Sequence, residues 1–273
     1  MAVRVIKAKS GLVPVDFREL WEYRELFAFL AWRDVLVRYK QTAIGILWTI
    51  IRPLLTMIIL TVIFGKLAKL PSNDIPYPLL TLAGALIWQF FANALTESSN
   101  SVVANASMVS KIYFPRIIIP TSPVIAGLVD FGISLVILVG MMIWYGTVPT
   151  TTVLALPLFL LLAISCALGM GLWFAALNVE YRDVRYIIPF VVQMGLYISP
   201  VGFSSSVIPE RLRLLFYLNP MASVIDGFRW SLLGGKEPIY PAGLVISVFI
   251  ALVLLVTGAY YFRHMERTFA DII

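Results

Sequence analysis

The sequence predicts an all-α integral membrane protein. Six transmembrane helices are expected, together with an N-terminal amphipathic interface helix and two short re-entrant extracytoplasmic helices before the last span. Apolar residues make up 60% of the 273 positions and charged residues 13%, whereas soluble domains average about 45–50% apolar and about 25% charged residues. The mean hydropathy is +0.90. With so little polar surface, the chain cannot cover a soluble globule, so we place it in a bilayer.

Six apolar segments meet or approach the length of about 20 residues that a helix needs to cross the hydrocarbon core. They are residues 44–65, 79–100, 117–145, 153–177, 186–202 and 240–262. Six crossings put both termini on one side of the membrane. The pieces on that side hold 14 Lys and Arg, against 6 in the pieces on the other side, and positive residues concentrate in the cytoplasm. We therefore expect both termini to be cytoplasmic. The net charge of +6 is explained by Lys and Arg in the cytoplasmic loops and does not indicate binding to nucleic acid.

The N-terminal region divides into a tail, residues 1–15, and a helical segment, residues 16–40. Helical spacing puts one set of apolar residues on a common face and most charges opposite; that face holds Phe17, Leu20, Trp21, Ala28, Ala31, Trp32 and Val35. Two tryptophans beside a charged face are typical of a helix that lies in the membrane interface. A solvated helix packed on a soluble partner remains an alternative. We see no secretory signal in the first forty residues.

Residues 203–239 are apolar but do not form a seventh span. Prolines and charges interrupt every window before it reaches spanning length. We predict two short helices instead, residues 209–218 and 221–233, joined at Asn219-Pro220 and entering the outer leaflet. Irregular backbone at that depth needs shelter by protein or a water-filled cavity.

Few polar residues lie inside the spans. Arg52 precedes Pro53 in the first span and either faces a polar lumen or anchors the helix by reaching toward the inner surface. Asp130 is the one carboxylate deep in an apolar run, and it is either neutral or paired between helices. Glu97 is expected near the cytoplasmic mouth. The single histidine, His264, excludes His-based metal or nucleophile chemistry on this chain, and the single Cys166 reads as a small buried hydrophobe.

Aromatic residues are dense, and several lie where an interfacial belt does not explain them. Trp88, Phe90 and Phe91 fall in the middle of the second span. Aromatic faces suit the apolar faces of sugar rings, so a carbohydrate path is one interpretation and core packing is the other. Tyr197 and Phe203 extend the same set at the end of the fifth span.

The chain holds no nucleotide-binding loop of the G-x-x-x-x-G-K-[ST] type. If ATP drives the protein, another subunit must bind and hydrolyse it and must contact cytoplasmic features of this chain. Three features are available: the helix 16–40, the loop 101–116 and the charged turn 178–186.

Five segments carry a family resemblance, in order and in register. They are "RYKQTAIGILWTIIRPLLTMIILTVIFG" (38–65), "WQFFANALTESSNSVVANASMVSKIYFPRIIIP" (88–120), "LNVEYRDVRYIIPF" (177–190), "SPVGF" (199–203) and "LNPMASVIDGFRW" (218–230). Together they resemble type-2 ABC transporter permeases, and within these the polysaccharide and O-antigen exporters. The resemblance covers the chain past residue 16 and gives residues 44–265 as the transmembrane domain, with 266–273 as a cytoplasmic tail.

The resemblance implies a non-catalytic permease of the bacterial inner membrane that exports a lipid-linked, O-antigen-like polysaccharide. It implies a homodimer with a central path and two copies of an ATPase subunit that bind ATP and Mg. Path residues would be Arg52, Trp88, Phe90, Phe91, Tyr197 and Phe203. A coupling helix at about Val102–Ile112 would present Asn105, Met108, Lys111 and Tyr113 to the ATPase. Gate helices at 209–233 would include Pro209, Asn219, Pro220 and Arg229.

The charged turn 178–186 has two interpretations. Glu180, Arg182, Asp183 and Arg185 either form a second contact with the ATPase or across protomers, or they are a solvated turn that fixes topology.

Other functions stay open. A permease of this type could carry teichoic acid, capsule, or a small hydrophobic drug or lipid. A secondary carrier would have internal repeats, and we find none that is convincing. A membrane glycosyltransferase or phosphatase would need clustered carboxylates or a His-Arg constellation, which the sequence lacks.

Overall fold

The computed structural model describes residues 17–40 and 43–269, and over these ranges the prediction of an all-α protein is confirmed. The tail 1–15 and residues 270–273 lie outside the described residues. The α-helices are α1 (Phe17–Glu22), α2 (Arg24–Tyr39), α3 (Ala43–Leu60), α4 (Tyr77–Ala104), α5 (Ala106–Lys111), α6 (Ile118–Trp144), α7 (Leu156–Glu180), α8 (Val184–Ile198), α9 (Glu210–Phe216), α10 (Pro220–Leu232) and α11 (Pro241–Met265). A π-helical segment, Thr61–Leu67, extends α3, and short 3₁₀ helices cover Thr151–Ala155 and Ser205–Val207.

Five helical stretches of the described chain are long and apolar enough to cross a membrane. They are Leu47–Leu67, Tyr77–Ala104, Ile118–Trp144, Thr151–Glu180 and Pro241–Met265. Each overlaps one of the six predicted segments. The remaining segment is the 15-residue helix α8, which is about 22 Å long at 1.5 Å per residue and therefore falls below the usual spanning length.

Both ends of the described chain lie at the same end of the helical bundle. Phe269, after the last helix, is buried in a cluster with Val109 and Phe114 of the α4–α6 connection, and Leu20 of α1 packs against the same cluster. We call this end of the bundle the terminal end. The two connections that follow α3 and α8 lie at the opposite end, where the Tyr77 hydroxyl donates to the carbonyl of Gly202 (2.9 Å).

The helix α4 is the central element of the bundle. In its most apolar window 83% of the residues are buried, against 6% for the first span. It contacts α3, α6, α7, α8 and α10. Two buried serines near its terminal end donate within the helix: Ser99 to the carbonyl of Leu95 (2.6 Å) and Ser101 to the carbonyl of Ser98 (2.7 Å). The other elements are thus arranged around α4.

The close crossing of α7 and α11 depends on two glycines. A Cβ atom on Gly258 would lie 2.3 Å from the carbonyl oxygen of Gly169, and one on Gly169 would lie 2.7 Å from the backbone of Leu254. Small residues at membrane helix crossings let the backbones approach closely. This crossing fixes the last helix against the rest of the bundle.

The N-terminal helix packs against the bundle on one side and leaves its two tryptophans exposed on the other. It is broken at Tyr23 into α1 and α2. Trp21 is 70% exposed and Trp32 61% exposed, whereas Leu30 is fully buried. The side that carries Asp34 packs against α6, where the hydroxyl of Ser122 donates to Asp34 (2.9 Å). The side that meets the protein is mixed. It carries Leu30 beside Asp34 and Arg38, and the spanning helices offer these two polar side chains hydrogen-bond partners, which lipid cannot do.

The two short helices predicted before the last span are confirmed as helices, with bounds at α9 and α10. The Pro209 and Pro220 rings stand at their starts, where a missing N–H costs nothing. The helix α9 contributes no buried residue, whereas most of α10 is buried between α4, α7 and α11. On α10, Gly227 lies directly against the ring of Phe159.

Candidate functional site

A polar cavity lies between α2, α3, α4 and α6, with a volume of about 290 Å³. On α3, α4 and α6 the lining residues recur every three or four positions, so each of these helices turns one stripe toward the cavity, and α2 adds a single residue, Arg38. The lining comprises Arg38, Trp48, Thr49, Arg52, Leu86, Gln89, Phe90, Asn93, Glu97, Gly127, Asp130, Phe131 and Ser134. Sequence reasoning missed most of this set. The available signal was the polar stripe Gln89, Asn93 and Glu97, at positions i, i+4 and i+8 of an otherwise apolar helix.

One arginine closes the terminal end of the cavity. Arg38 of α2 donates to Glu97 of α4 and to Asp130 of α6, and the Tyr39 hydroxyl donates to the other carboxylate oxygen of Asp130. We call these four residues the Arg38 cluster. Of the two interpretations of Asp130, the structure supports the paired carboxylate. The cluster joins three helices, since a carboxylate in a low-dielectric environment must be paired.

Four polar side chains of the cavity have no hydrogen-bond or ion-pair partner among the described residues: Arg52, Gln89, Asn93 and Ser134. Arg52 is exposed and lies over the ring of Trp48, 5.7 Å from its centroid. Ser134 is buried. The cavity therefore combines an unpaired guanidinium, two amides and a hydroxyl with aromatic walls.

The predicted path aromatics separate into two groups. Trp88 and Phe91 are buried against each other, with ring centroids 5.3 Å apart, and the edge of Trp88 contacts Gly195 of α8. Phe90 lies in the cavity wall and packs on Phe131 (5.5 Å). In this conformation Trp88 and Phe91 are core residues, so their burial does not favour a role in lining a path.

The other two predicted path aromatics lie on or near the surface. Tyr197 is 66% exposed on α8. Phe203 is half-buried beside Phe64 of the π-helical segment, with centroids 6.1 Å apart.

Arg229 of α10 forms hydrogen bonds to α4 and to the loop after α8 at the opposite end of the bundle. It is fully buried and donates to the carbonyls of Leu80 (3.0 Å), Phe203 (2.9 Å) and Val201 (2.8 Å). A Cβ atom on Gly84 would lie 2.5 Å from its Nη2 atom, so α4 must have glycine there. Arg229 thereby joins α10, α4 and the loop after α8.

The start of α10 is fixed by its own cap. The Asn219 side-chain oxygen accepts from the backbone N–H of Met221 (3.1 Å), and its amide donates to Ser199 (2.8 Å). Asparagine is among the preferred N-cap residues, and Pro220 follows it at the first helical position. The Asn219-Pro220 pair is therefore a helix start tied to the end of α8.

The short helix α5 lies at the terminal end, inside the predicted coupling region Val102–Ile112. Lys111 and Tyr113 are exposed. Asn105 is half-buried and donates to the carbonyl of Ser101 (2.8 Å), and Met108 packs on the buried cluster beneath. The outward surface of this loop thus includes Lys111, Ile112 and Tyr113 beside the exposed Ser107 and Ser110, whereas Asn105 and Met108 mainly hold α5 in place.

The charged turn 178–186 connects α7 and α8 at the terminal end. Glu180, Arg182, Asp183 and Arg185 are exposed, and none of them forms an ion pair with another described residue. Val184 is buried between them and anchors the turn.

A second polar network joins the N-terminal helix, the α5 loop and the end of α11. Arg263 lies 3.6 Å from Glu19 and 2.6 Å from Glu266, and Arg116 donates to the backbone carbonyl of Glu266. The Tyr113 hydroxyl donates to Glu19 (3.5 Å). Burial raises the pKa of Glu266, and the facing Arg263 opposes that rise. A push on Tyr113 would reach α1 and α11 through these contacts.

Comparison with known proteins gives the family. The ABC-2 type transporter family matches residues 25–233. An O-antigen export system permease protein RfbA of Klebsiella pneumoniae is 30% identical over 251 residues, which cover 91% of this chain and 95% of that protein. A protein of the same name from Myxococcus xanthus is 27% identical over 257 residues (93% and 97%). The polysialic acid transport protein KpsM of Escherichia coli is 25% identical over 245 residues (86% and 91%). The resemblance of the five quoted segments is confirmed, and the chain belongs to the ABC-2 type transporter family.

Proposed function

We propose that this chain is the membrane-spanning permease subunit of an ATP-driven exporter that moves a lipid-linked, O-antigen-like polysaccharide across the inner membrane. The observation that carries the proposal is the nearly full-length similarity to proteins named as O-antigen export permeases. The chain itself holds no nucleotide-binding loop, so its role is to form the conduit, and ATP and Mg are bound by a partner subunit.

Six crossings with both termini in the cytoplasm remain our topology. The course of α8 supports it: α8 follows the turn at the terminal end, and the residues just after it, such as Val201, meet Arg229 at the opposite end. The helix thus runs the depth of the bundle despite its 15 residues. The excess of Lys and Arg at the terminal end then orients that end toward the cytoplasm.

A re-entrant arrangement of α9 and α10 fits the packing of Phe228. Its ring lies 5.8 Å from that of Phe131, which is near the middle of α6. The helix α10 therefore enters from the opposite end and reaches the middle of α6. Most of its residues are buried by neighbouring helices, which gives it the shelter that irregular structure in a membrane requires. We assign α9 and α10 to the outer gate, with Pro209 at the start of α9 and Asn219, Pro220 and Arg229 as the residues that fix its inner helix.

A homodimer with a central path fits the surfaces that the chain leaves without intramolecular partners. The first span and α8 carry rows of exposed large apolar residues, among them Leu55, Ile59, Tyr186, Phe190 and Tyr197. We place the dimer contact and the path along these helices, with Arg52, Tyr197 and Phe203 toward the path. Two ATPase copies would dock on the α5 loop at Lys111 and Tyr113 and on the charged turn 178–186.

Export of another polysaccharide, such as a capsule polymer, is the second candidate, because two relatives are named as transport proteins for a different polymer, polysialic acid. Teichoic acid carriers and exporters of small hydrophobic compounds belong to the same alternative class, and a secondary carrier is the more distant one. The polar cavity favours a hydrophilic cargo head over a fully hydrophobic compound.

Co-expression tests the proposal. The chain should purify with an ATPase as a complex of two plus two subunits and restore surface polysaccharide in cells that lack their own O-antigen permease. A catalytically inactive ATPase should form the complex without restoring export. A stable monomer that moves cargo without any ATPase would overturn the proposal.

A further inference from the structure

The polar cavity between α2, α3, α4 and α6 contains hydrogen-bonding groups that the protein leaves unused. Gln89, Asn93 and Ser134 have no partner among the described residues, although neighbouring polar groups on the same helices do. A polar group in such surroundings costs free energy unless something accepts or donates to it. Two amides and a hydroxyl facing one space present donors and acceptors to a ligand rich in hydroxyls.

The charges of the cavity are unevenly paired. Arg38 is held between Glu97 and Asp130, so its charge is already compensated. Arg52 lines the same cavity and makes no ion pair with a described residue; its guanidinium lies over Trp48. An unpaired arginine beside a polar cavity is suited to a phosphate, which it can bind with two parallel hydrogen bonds.

The size and walls of the cavity limit the ligand further. Its volume of about 290 Å³ is at the small end of the range of about 300–1,000 Å³ typical of small-molecule sites. Phe90 and Phe131, which are 4% and 6% exposed, close the inner wall of the cavity with apolar ring edges. Trp48 and Arg52 are exposed at the α3 side, whereas Ser134 is buried, so the opening is beside the first span.

We propose that this cavity binds the phosphorylated first sugar of the lipid-linked cargo, with the phosphate at Arg52 and the sugar hydroxyls at Gln89, Asn93 and Ser134. The inference rests on the proposed export function and adds the part of the cargo that is recognised. The lipid chain stays outside the cavity, at the opening beside Trp48 and Arg52. The Arg38 cluster closes the terminal end of the cavity, and within it Arg38 holds the carboxylates of Glu97 and Asp130 in place.

Binding to the complete complex in lipid nanodiscs tests this. The ligand is a radiolabelled polyprenyl diphosphoglucose, compared with polyprenyl diphosphate without sugar and with glucose 1-phosphate without lipid. We expect Asn93→Ala and Gln89→Ala each to weaken binding about 2- to 10-fold, and Arg52→Gln to weaken it about 10- to 100-fold. Glucose 1-phosphate should compete, more weakly but with the same dependence on Asn93, because the phosphosugar head is the shared chemistry.

The controls separate recognition from folding. Asn93 and Gln89 have no internal partner, so their replacement by alanine breaks no hydrogen bond of the described protein. The matched control for Ser134→Ala is Ser165→Ala on α7. Ser165 lies outside the cavity, so this control should leave binding unchanged. Equal binding of sugar-free polyprenyl diphosphate, or variants that bind like the wild type, would overturn the proposal. Polysaccharide export by the same wild-type complex is measured in parallel. If the complex exports polysaccharide but the cavity does not bind the ligand, only the present inference is contradicted. If the complex does not export polysaccharide, the proposed function is contradicted.

Discussion

The substitution Gly84→Ala tests the buried arginine at the opposite end of the bundle. A Cβ at this position would lie 2.5 Å from Nη2 of Arg229 and 2.7 Å from the carbonyl oxygen of Val201, so the bond between these two groups must break. A lost charge-assisted hydrogen bond costs about 1.5–3 kcal/mol and overpacking about 1–3 kcal/mol, while alanine in a helix returns about 0.5–1 kcal/mol. We expect a net loss of about 2–5 kcal/mol in the free energy of unfolding.

Thermal unfolding of the purified protein in detergent measures this effect. The matched control is Gly140→Ala in α6, where a Cβ would meet no atom within 4 Å; it should leave the midpoint unchanged or raise it. In an Arg229→Met background, Gly84→Ala should cost less than in the wild type, since one of its two clashes is gone. Equal midpoints for Gly84→Ala and Gly140→Ala would refute the role of Arg229 as the group that requires glycine on α4.

Three further predictions concern other parts of the molecule. In a variant with Cys166→Ala, Asp34→Cys and Ser122→Cys, a short bifunctional thiol reagent should join the two introduced cysteines. Proteolysis of the chain between residues 34 and 122 should then leave the two fragments linked in one gel band. Absence of this linked product would contradict the packing of α2 on α6. Lys111→Glu should lower the amount of ATPase that co-purifies while leaving membrane insertion normal, and unchanged recovery would remove Lys111 from the docking surface. Trp88→Ala should destabilise the protein by about 3–5 kcal/mol, and a normal thermal midpoint would show that its ring is not core.

Hydropathy and helix breakers account for most of the fold that could be predicted. The five long helices coincide with apolar segments because the backbone in lipid must satisfy its own hydrogen bonds. The starts of α9 and α10 follow from Pro209 and from Asn219-Pro220. Proline and asparagine favour the start of a helix through their own backbone and side-chain geometry, so these starts can be predicted without knowing the tertiary contacts. Such features are encoded within a few residues and can be read without knowing what packs on them.

The orientation of the N-terminal helix could not be obtained in the same way. Periodicity identifies an apolar and a polar face, but in a membrane protein either face can be the one that meets protein. Trp21 and Trp32 are exposed, while Asp34 and Arg38 turn inward to partners on α4 and α6. Those partners lie as many as 92 residues away, so no local pattern reveals them.

The aromatic residues of the second span illustrate a related difficulty. Trp88, Phe90 and Phe91 are consecutive or nearly so, and on a helix neighbours point in different directions. Only Phe90 reaches the cavity, and the other two are buried together. The polar stripe of Gln89, Asn93 and Glu97 was the better guide to the cavity, because a polar residue in an apolar helix rarely faces lipid.

Arg38 and Arg229 tie four helices into one block, against which the first span packs least. Arg38 ties α2 to α4 and α6, and Arg229 ties α10 to α4, so these four helices must move together. The first span has 6% of its apolar window buried, and α8 contributes two buried residues, Val184 and Ile188. The end of α8 is held to this block through Ser199 and Val201, so we infer that the first span is the element freest to move. Because the cavity lies between α3 and the tied block, displacement of α3 would open or close it, and under the proposed function this would couple binding of the cargo head to transport.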